Sequence, residues 1–252
     1  MNLIIVSDLH IGSRYFFNKA FEHFLKVIPE DCTLILNGDI IDNPYAKLSL
    51  SHQQILDLIK QLSYRQSIIW LRGNHDNGYL PNSFGNIKFK RIQTVEHRLL
   101  ITHGDDFDDV MPRNQAFMKA FKLLHDLRVK LGAKPVHVAE YAKRWDFFYK
   151  VLRRNVMINA VKCAIENGYE AVTCGHTHYA ENLVFNGIRY INTGAWTEFP
   201  AFFLRVTEYE MILMKLEDNP FRFLEVNAAE LIPGDHLFSR VDNESRKTVP
   251  LP

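Results

Sequence analysis

The sequence predicts an α/β fold with an inserted helical segment, and three patterns along its 252 residues support this prediction. In residues 1–111, short apolar runs typical of buried strands alternate with stretches whose apolar side chains recur at helical spacing. Residues 168–216 consist mostly of strand-like runs. Between these two parts, residues 112–162 lack strand patterns and are predicted to be helical, with a break at residues 132–135.

The first part of the chain contains five predicted strands and two predicted helices. A strand at 3–7 precedes a helix near 17–28, in which Phe21, Phe24 and Ile28 recur at helical spacing. The remaining elements are, in order, a strand at 33–37, a helix near 51–63, and strands at 68–72, 87–89 and 98–102.

The last part contains five more predicted strands. Asn186-Gly187 lies between two of them and indicates a tight hairpin, because this dipeptide favours the turn that joins antiparallel strands. The strands are predicted at 171–174, 183–185, 188–191, 202–206 and 211–215. Residues 217–252 carry no chemical signature, and we expect residues 1–252 to form one domain with the insertion at about 112–162.

Composition argues against several classes of protein. The net charge is +1, so the whole chain is not a polyelectrolyte binder. The three cysteines lack C-x-x-C spacing, which argues against a disulfide framework or a cysteine-zinc site. The sequence starts with a strand pattern instead of a secretory signal, and no apolar run is long enough to span a bilayer. We therefore expect a cytoplasmic protein.

The predicted insertion differs from the rest of the chain in charge. Residues 112–162 contain 12 Lys and Arg against 3 Asp and Glu, a net charge of +9, whereas the other residues carry a net charge of −8. The segment is also rich in Phe, Trp, Tyr and Leu. This composition favours a cap that faces an anion. The alternative is a helical pair whose basic residues simply face water.

Five short motifs with acidic, histidine or amide side chains follow five of the predicted strands. Ligands of open α/β sheets bind outside the carboxyl ends of the strands, so these motifs are expected to meet. Carboxylates, imidazoles and amide oxygens are ligands of divalent metals. The motifs are Asp8-Leu9-His10, Gly38-Asp39, Gly73-Asn74-His75-Asp76, His103-Gly104 and Gly175-His176-Thr177-His178.

Residue spacing within the motifs predicts how they bind metal. Asp8 and His10 are two apart and would share one face of an extended backbone, and the same applies to His176 and His178. A short carboxylate such as Asp39 is suited to bridging two metals. Two divalent ions roughly 3.5–4 Å apart can activate a bridging water and hold the oxygens of a phosphoryl group. The other six histidines lack such contexts and are expected to be ordinary surface or core residues, with substrate contact as the alternative for His125 and His137 of the insertion.

The ordered set DLH, GD, GNHD, HG and GHTH resembles the calcineurin-like metallophosphoesterase superfamily over residues 1–216, apart from the insertion. The resemblance implies a β-sandwich flanked by helices, with two divalent metals (Mn foremost, otherwise Fe, Zn or Mg). It also implies two ligand sets that share one carboxylate. The first metal would be held by Asp8, His10, Asp39 and His178, and the second by Asp39, Asn74, His103 and His176.

The same resemblance implies roles for two residues that are not ligands. His75 resembles the family histidine that stabilises the transition state or protonates the leaving group, and Asp76 would orient nearby groups. Asp42 resembles a second orienting residue, although a turn-forming role fits it equally. In the implied reaction, a metal-bound hydroxide attacks phosphorus in line with the leaving oxygen.

The substrate expectation comes from a narrower resemblance. The sequence His103-Gly104-Asp105, a helical insertion, the GHTH motif and Gly194-Ala195-Trp196 together resemble UDP-2,3-diacylglucosamine diphosphatases of lipid A synthesis. That group carries arginine where this chain has His75. The resemblance implies a lipid-linked nucleotide diphosphate as substrate, contacts within about 112–162, and peripheral contact with the anionic inner face of a membrane.

Three alternatives stay open from the sequence. The chain can be a phosphodiesterase or phosphatase acting on a soluble phosphorylated nucleotide. It can be a nuclease whose basic insertion tracks a phosphate backbone, which would make binding steeply salt-dependent. A scaffold that has lost catalysis is the least favoured alternative, because every ligand position of the family pattern is occupied.

Overall fold

The computed structural model describes residues 1–79, 83–113, 115–217 and 222–226, without the side chains of 112–118 and 217. Most of the 217–252 tail therefore lies outside the described residues. The strands are β1 (Asn2–Val6), β2 (Thr33–Asn37), β3 (Ile68–Leu71), β4 (Lys88–Lys90), β5 (Ile92–Val95), β6 (Leu99–Thr102), β7 (Ala171–Cys174), β8 (Ala180–Phe185), β9 (Ile188–Thr193), β10 (Ala201–Thr207), β11 (Met211–Glu217) and β12 (Arg222–Glu225). The helices are α1 (Asn18–Val27), α2 (Leu50–Leu62), α3 (Val110–Arg113), α4 (Gln115–Lys130), α5 (Val138–Ala142) and α6 (Asp146–Glu166).

The strands form two sheets. The first has the order β12-β11-β10-β1-β2-β3-β4, in which β1 to β4 are parallel and β10 to β12 add antiparallel strands beyond β1. The second has the order β5-β6-β7-β9-β8, with β6, β7 and β9 parallel. The carboxyl ends of the parallel strands therefore gather at one edge of each sheet.

The two sheets pack face to face, and their side chains alternate between two cores. Leu3 and Ile5 of β1 belong to the cluster between the sheets, together with Ile101 of β6 and Ile191 of β9. Their neighbours Ile4 and Val6 face the opposite way and pack beneath α1 and α2. This alternation is the consequence of strand geometry, which points successive side chains to opposite faces.

Helix α6 covers the outer face of the second sheet. Its Met157, Ala160 and Val161 pack against Val172 of β7 and Tyr190 of β9. The result is a mixed α/β fold of two sheets flanked by helices, as the sequence predicted. Because α6 continues to Glu166, the expected boundary of the insertion at 162 falls inside a helix that belongs partly to this outer layer.

Most predicted elements are confirmed within a residue or two of their expected bounds. The hairpin at Asn186-Gly187 is confirmed, with positive φ angles of 49° and 80° between β8 and β9. Strands β5 and β12 were not predicted. Both lie at sheet edges and contain only one buried residue between them, so neither carries the apolar run by which buried strands are detected. Among the described residues, no helix has the length and apolar character needed to cross a bilayer.

Candidate metal centre

All five motifs lie directly after the strands that were predicted to precede them. The loops after β1 and β2 continue the parallel pairing beyond the strands, because the N–H groups of Asp8 and His10 donate to the carbonyls of Gly38 and Asp39, each at 3.0 Å. In the second sheet, the Gly175 N–H donates to the His103 carbonyl at 2.8 Å. The strand ends of both sheets thus hold the motif side chains at one edge of the sandwich.

The backbone of the motif loops is left-handed at five candidate ligands. The φ angles are 52° at Asp8, 51° at His10, 52° at Asp39, 64° at His176 and 54° at His178. The extended conformation expected for Asp8-Leu9-His10 and His176-Thr177-His178 is therefore wrong. Residues other than glycine adopt this region at a cost of order 1–3 kcal/mol each, and such strain persists where the surrounding structure enforces it. Because this backbone strain is concentrated at one edge of the sandwich, we infer that this edge is a functional site.

Two glycines allow the loops to approach each other. A Cβ atom on Gly175 would lie 2.2 Å from an Asp8 carboxylate oxygen, and one on Gly73 would lie 2.2 Å from an Asp39 carboxylate oxygen. No side chain fits at these distances, so glycine is required at both positions.

One group of candidate ligands consists of Asp8, His10 and His178. One potential ligand atom from each residue lies within 4.8 Å of the others, and all three residues are buried. The Nε2 atoms of His10 and His178 are 3.0 Å apart, and Nε2 of His178 is 3.3 Å from Oδ1 of Asp8. Asp42 lies behind His10, with its Oδ1 3.1 Å from His10 Nδ1. This contact fixes the imidazole so that its Nε2 faces the group.

A second group consists of Asp39, His103 and His176, again with ligand atoms within 4.8 Å of one another. His103 Nδ1 lies 3.0 Å from the Asn37 carbonyl and must donate to it, which leaves Nε2 facing Asp39 Oδ2 at 3.2 Å. This Nε2 is buried and has no hydrogen-bond partner among the described residues. The main chain of His176 also links the groups, since its N–H donates to the Asp8 carboxylate. The His176 and His178 side chains thus belong to different groups.

Asp108 holds His176 and was missed by the sequence analysis. Its Oδ2 lies 2.9 Å from His176 Nε2, while its Oδ1 accepts from the N–H groups of Val110 and Met111 at the start of α3. Burial raises the pKa of Asp108, but these hydrogen bonds outweigh burial and hold the pKa below its usual value. The available sequence signal was a carboxylate at a helix N-terminus, which normally indicates only a cap.

Asn192 of β9 is a second residue that the sequence analysis did not identify. Its buried amide donates to the Gly175 carbonyl at 2.6 Å and to the Thr177 hydroxyl at 3.1 Å. Trp196 of the Gly194-Ala195-Trp196 segment is fully buried, and its main-chain N–H donates to the Asp8 carbonyl at 3.0 Å. Both residues are fully buried and hold the motif loops from within the protein.

The site combines buried carboxylates with imidazoles that differ in charge. Burial raises the pKa of Asp39, but the surrounding histidines, His103 first, hold it well below its usual value. Burial lowers the pKa of His103, but Asp39 and Asp8 raise it to about 10. Burial also lowers the pKa of His178, to about 4, which keeps its ring neutral. Buried carboxylates require a positive partner, and a protonated imidazole or a metal cation can supply it.

The GNHD motif separates into outer and inner residues. Asn74 and His75 are exposed and line a cavity, whereas Asp76 is buried. The His75 N–H donates to Asp39 Oδ1 at 2.8 Å, and His75 Nδ1 lies 2.8 Å from the Asp42 carbonyl. The Asp76 carboxylate accepts from the N–H groups of Ile40, Ile41 and Gly73. It therefore ties the GD and GNHD loops together, and burial raises its pKa.

The cavity has a volume of about 670 Å³ and lies between the motif loops and the insertion. Met111, Phe121, Val136, Phe148 and Leu152 form an apolar wall opposite the candidate ligands. His125 and His137 of the insertion also line the cavity, as the alternative of substrate contact requires. His137 stacks on His178, with ring centroids 5.3 Å apart and an interplanar angle of 20°.

The residues present fit a pair of divalent cations. The Asp8 group and the Asp39 group supply carboxylate and imidazole atoms, and a further group of His10, Asp42 and His75 overlaps the first. The buried Nε2 of His103 has no hydrogen-bond partner within the described part of the chain and lies 3.2 Å from the Asp39 carboxylate. Such donor sets suit Mn, Fe and Zn, and they do not by themselves identify the metal.

The sequence matches the family model for Calcineurin-like phosphoesterase over residues 1–180. The chain belongs to the calcineurin-like phosphoesterase family. No protein of curated function matches the sequence. This phosphoesterase therefore has the candidate ligand groups of a family that binds divalent metals, at the edge where its motifs converge.

Several solved structures are similar to the phosphoesterase at low sequence identity. The phosphoesterase Yfce from E. coli is 15% identical, covering 90% of this chain and 100% of that chain, with a TM-score of 0.48. The zinc complex of Vps29 from Entamoeba histolytica is 11% identical, covering 90% and 98%, with a TM-score of 0.48. Nuclease MPE from Pseudomonas putida is 15% identical, covering 89% and 87%, with a TM-score of 0.45.

Proposed function

We propose that the chain is a dinuclear metal-dependent hydrolase of a phosphoester or diphosphate whose substrate carries an apolar group, resembling UDP-2,3-diacylglucosamine diphosphatase. The supporting observation is the cavity, which has two candidate metal groups on one side and an apolar wall from the insertion on the other. A phosphate bound at the metals would leave the rest of the substrate against Phe121, Phe148 and Leu152.

The proposed first metal site consists of Asp8, His10, Asp39 and His178, and the proposed second of Asp39, Asn74, His103 and His176. Two divalent cations at these positions, with Mn favoured, would neutralise charge on a phosphoryl group and make water nucleophilic near neutral pH. The protein contributes orientation through fixed hydrogen bonds. Asp42 orients His10, Asp108 orients His176, and the Asn37 carbonyl orients His103.

His75 is proposed as the general acid or as the residue that stabilises the transition state. It lines the cavity beside Asn74, and its Nδ1 contact with the Asp42 carbonyl leaves Nε2 available to a leaving oxygen. Asp76 is proposed as a positioning residue, because its carboxylate binds the backbones of the loops that carry Asp39 and His75.

The exposed face of the insertion supports peripheral contact with an anionic membrane. Leu123, Leu124, Leu127 and Leu131 lie on or just after α4 and are 50% to 79% exposed. Lys122, Arg128 and Lys130 lie beside or between them, and the insertion has a net charge of +9. Basic residues near an anionic surface contribute about 1 kcal/mol each. Localisation at the inner face of a cytoplasmic membrane is part of this proposal.

The decisive experiment measures turnover of UDP-2,3-diacylglucosamine by the Mn-loaded protein, following release of UMP and lipid phosphate. Asp8→Ala is the matched control. Metal-dependent UMP release that the control lacks would support the proposal. If a chromogenic phosphodiester is cleaved while the lipid is not, the lipid substrate is rejected and the phosphohydrolase assignment remains.

Three further assays separate the alternatives and test membrane contact. A soluble nucleotide substrate would be hydrolysed without detergent and with little response to changes in the apolar cavity-lining residues of the insertion. Nucleic acid binding would weaken steeply with salt, because each phosphate contact releases counterions. Vesicles that contain anionic lipid should retain the protein, and equal retention by neutral vesicles would contradict charge-dependent membrane contact.

A further inference from the structure

We propose that the insertion positions the metal-binding loop through Lys143 and Tyr149, which act as positioning residues for His178. This inference rests on the proposed dinuclear site. Both side chains reach across to consecutive carbonyl oxygens of the GHTH loop, those of Thr177 and His178. The insertion would thereby control cation binding at one of the two groups, in addition to forming the cavity wall.

Lys143 follows the last residue of α5 and forms two polar contacts. Its Nζ donates to the His178 carbonyl at 2.7 Å and also forms an ion pair with Glu198. The Lys143 side chain is 23% exposed and that of Glu198 is 21% exposed, so the pair is partly shielded from water. Glu198 thus holds the ammonium group where it meets the loop.

Tyr149 lies in the first turn of α6 and is almost fully buried. Its hydroxyl donates to the Thr177 carbonyl, and its ring packs with Leu152 and Val156 of the same helix. Burial raises the pKa of Tyr149 well above its ordinary value, so the hydroxyl retains its proton for this hydrogen bond. The contact joins α6 to the peptide immediately before His178.

The loop has a physical need for such contacts. His176 and His178 both adopt left-handed backbone conformations, which are unfavourable for residues with a side chain. Asn192 holds the first half of the loop through Gly175 and the Thr177 hydroxyl, whereas Lys143 and Tyr149 hold the carbonyls of the second half. His137 adds a ring contact with His178 from the same insertion.

The two candidate metal groups should therefore respond differently to changes in the insertion. His178 belongs to the group with Asp8 and His10. His103 is held by the Asn37 carbonyl, and His176 by Asp108, which lies before the insertion in the sequence. Loss of the contacts from Lys143 or Tyr149 would weaken the first group and leave the second with its own partners.

The test measures Mn²⁺ binding to the full chain by titration calorimetry and by metal analysis after dialysis at limiting Mn²⁺. The variants are Tyr149→Phe, which removes one hydroxyl, and Lys143→Met, which removes the ammonium group. Tyr141→Phe is the matched control, because Tyr141 lies in the same insertion and stacks on Phe121 and His125 without a described contact to the loop. Lys143→Arg tests whether a cation restores the contact.

We expect one Mn²⁺ to bind roughly 10–100-fold more weakly in each of the two variants, the range seen when a partner of a metal ligand is lost. The other Mn²⁺ should keep its affinity, Lys143→Arg should recover part of the loss, and Tyr141→Phe should match the parent protein. Thermal unfolding of each variant verifies that it is folded under the conditions of the titration.

Two results would overturn the inference. One is unchanged binding of both ions in Tyr149→Phe and Lys143→Met, whatever happens to their melting temperatures. The other is equal weakening of both ions, which would indicate general destabilisation instead of local positioning. Failure of the parent protein to bind two Mn²⁺ ions would instead refute the proposed dinuclear site, so the two failures are distinguishable.

Discussion

The motif loops and the insertion form opposite walls of one cavity, and they are built in contrasting ways. In the loops, Asp8, His10, Asp39 and His103 are at most 2% exposed, and each is fixed by hydrogen bonds to a neighbouring loop or by close approach to a glycine. In the insertion, the wall is apolar, and its Phe121, Val136 and Leu152 are at most 6% exposed. Under the proposed function, the motif loops form a rigid wall that carries out the chemistry, and the insertion forms a tolerant wall that selects the substrate.

The contrast follows from what each wall must do. Buried carboxylates and imidazoles function only when every partner is in place, because an unmatched buried charge costs several kcal/mol. An apolar wall needs only the right size and hydrophobicity, so its residues can be exchanged at smaller cost. Substitutions in the loops should therefore affect all substrates equally. Substitutions of insertion side chains that only line the cavity should affect only substrates that reach them.

The largest effect is expected for Asp8→Ala in the rigid wall. The change removes a candidate ligand and also the acceptor of the His176 N–H, so both metal groups are disturbed. Bound Mn²⁺ should fall below two ions per chain. Turnover of a chromogenic phosphodiester should fall by more than the roughly 100-fold typical of residues that only orient a ligand. Asp57→Ala, at an exposed carboxylate on α2, serves as control. Two tightly bound ions in Asp8→Ala would refute this assignment.

His75→Ala should have the next largest effect, with turnover lowered by roughly 10²–10⁴-fold, the range for a general acid. Metal content should stay close to that of the parent protein, because His75 is proposed as a non-ligand. His75→Arg sharpens the result, since a guanidinium supplies charge but does not donate its proton to a leaving group. If His75→Arg retains the turnover of the parent protein, His75 acts by charge stabilisation. If His75→Ala loses bound metal, His75 is a metal ligand.

Asp108→Asn should have a moderate effect that is confined to one metal group. The amide oxygen can still accept from Val110 and Met111, so the start of α3 is preserved, while the charge beside His176 is lost. We expect roughly 10–100-fold weaker binding of one Mn²⁺ ion, measured by titration. If both Mn²⁺ ions bind Asp108→Asn with the affinities measured for the parent protein, Asp108 is only a helix cap.

The rigid wall was more predictable from sequence than the contacts that support it. Each motif follows a strand whose apolar run is visible in the sequence, so the convergence of Asp8, Asp39 and His103 followed from sheet geometry. The left-handed backbone of these loops was missed, because spacing by two residues fits an extended strand equally well. Local periodicity contains no information about how a loop bends after its strand ends.

The supporting residues were missed for a different reason. Asp108 contacts a histidine 68 positions later in the chain, and Lys143 contacts a carbonyl 35 positions later. Such pairs depend on how helices pack on the second sheet, which no short motif specifies. Strands β5 and β12 escaped prediction because edge strands carry little apolar signal. The sequence therefore predicts which residues converge better than it predicts what holds them.

The smallest and most selective effect is expected in the tolerant wall, at Phe148. This side chain lines the cavity, whereas its neighbour Phe147 is 83% exposed and does not, so Phe148→Ala and Phe147→Ala form a matched pair. Burying a Phe side chain contributes roughly 1.5–3 kcal/mol, so KM for a substrate with an apolar chain should rise about 10–100-fold in Phe148→Ala. Hydrolysis of a small chromogenic phosphodiester should change little in either variant. Equal loss on both substrates would mean that the two walls are not separable, and that the insertion shapes the chemistry itself.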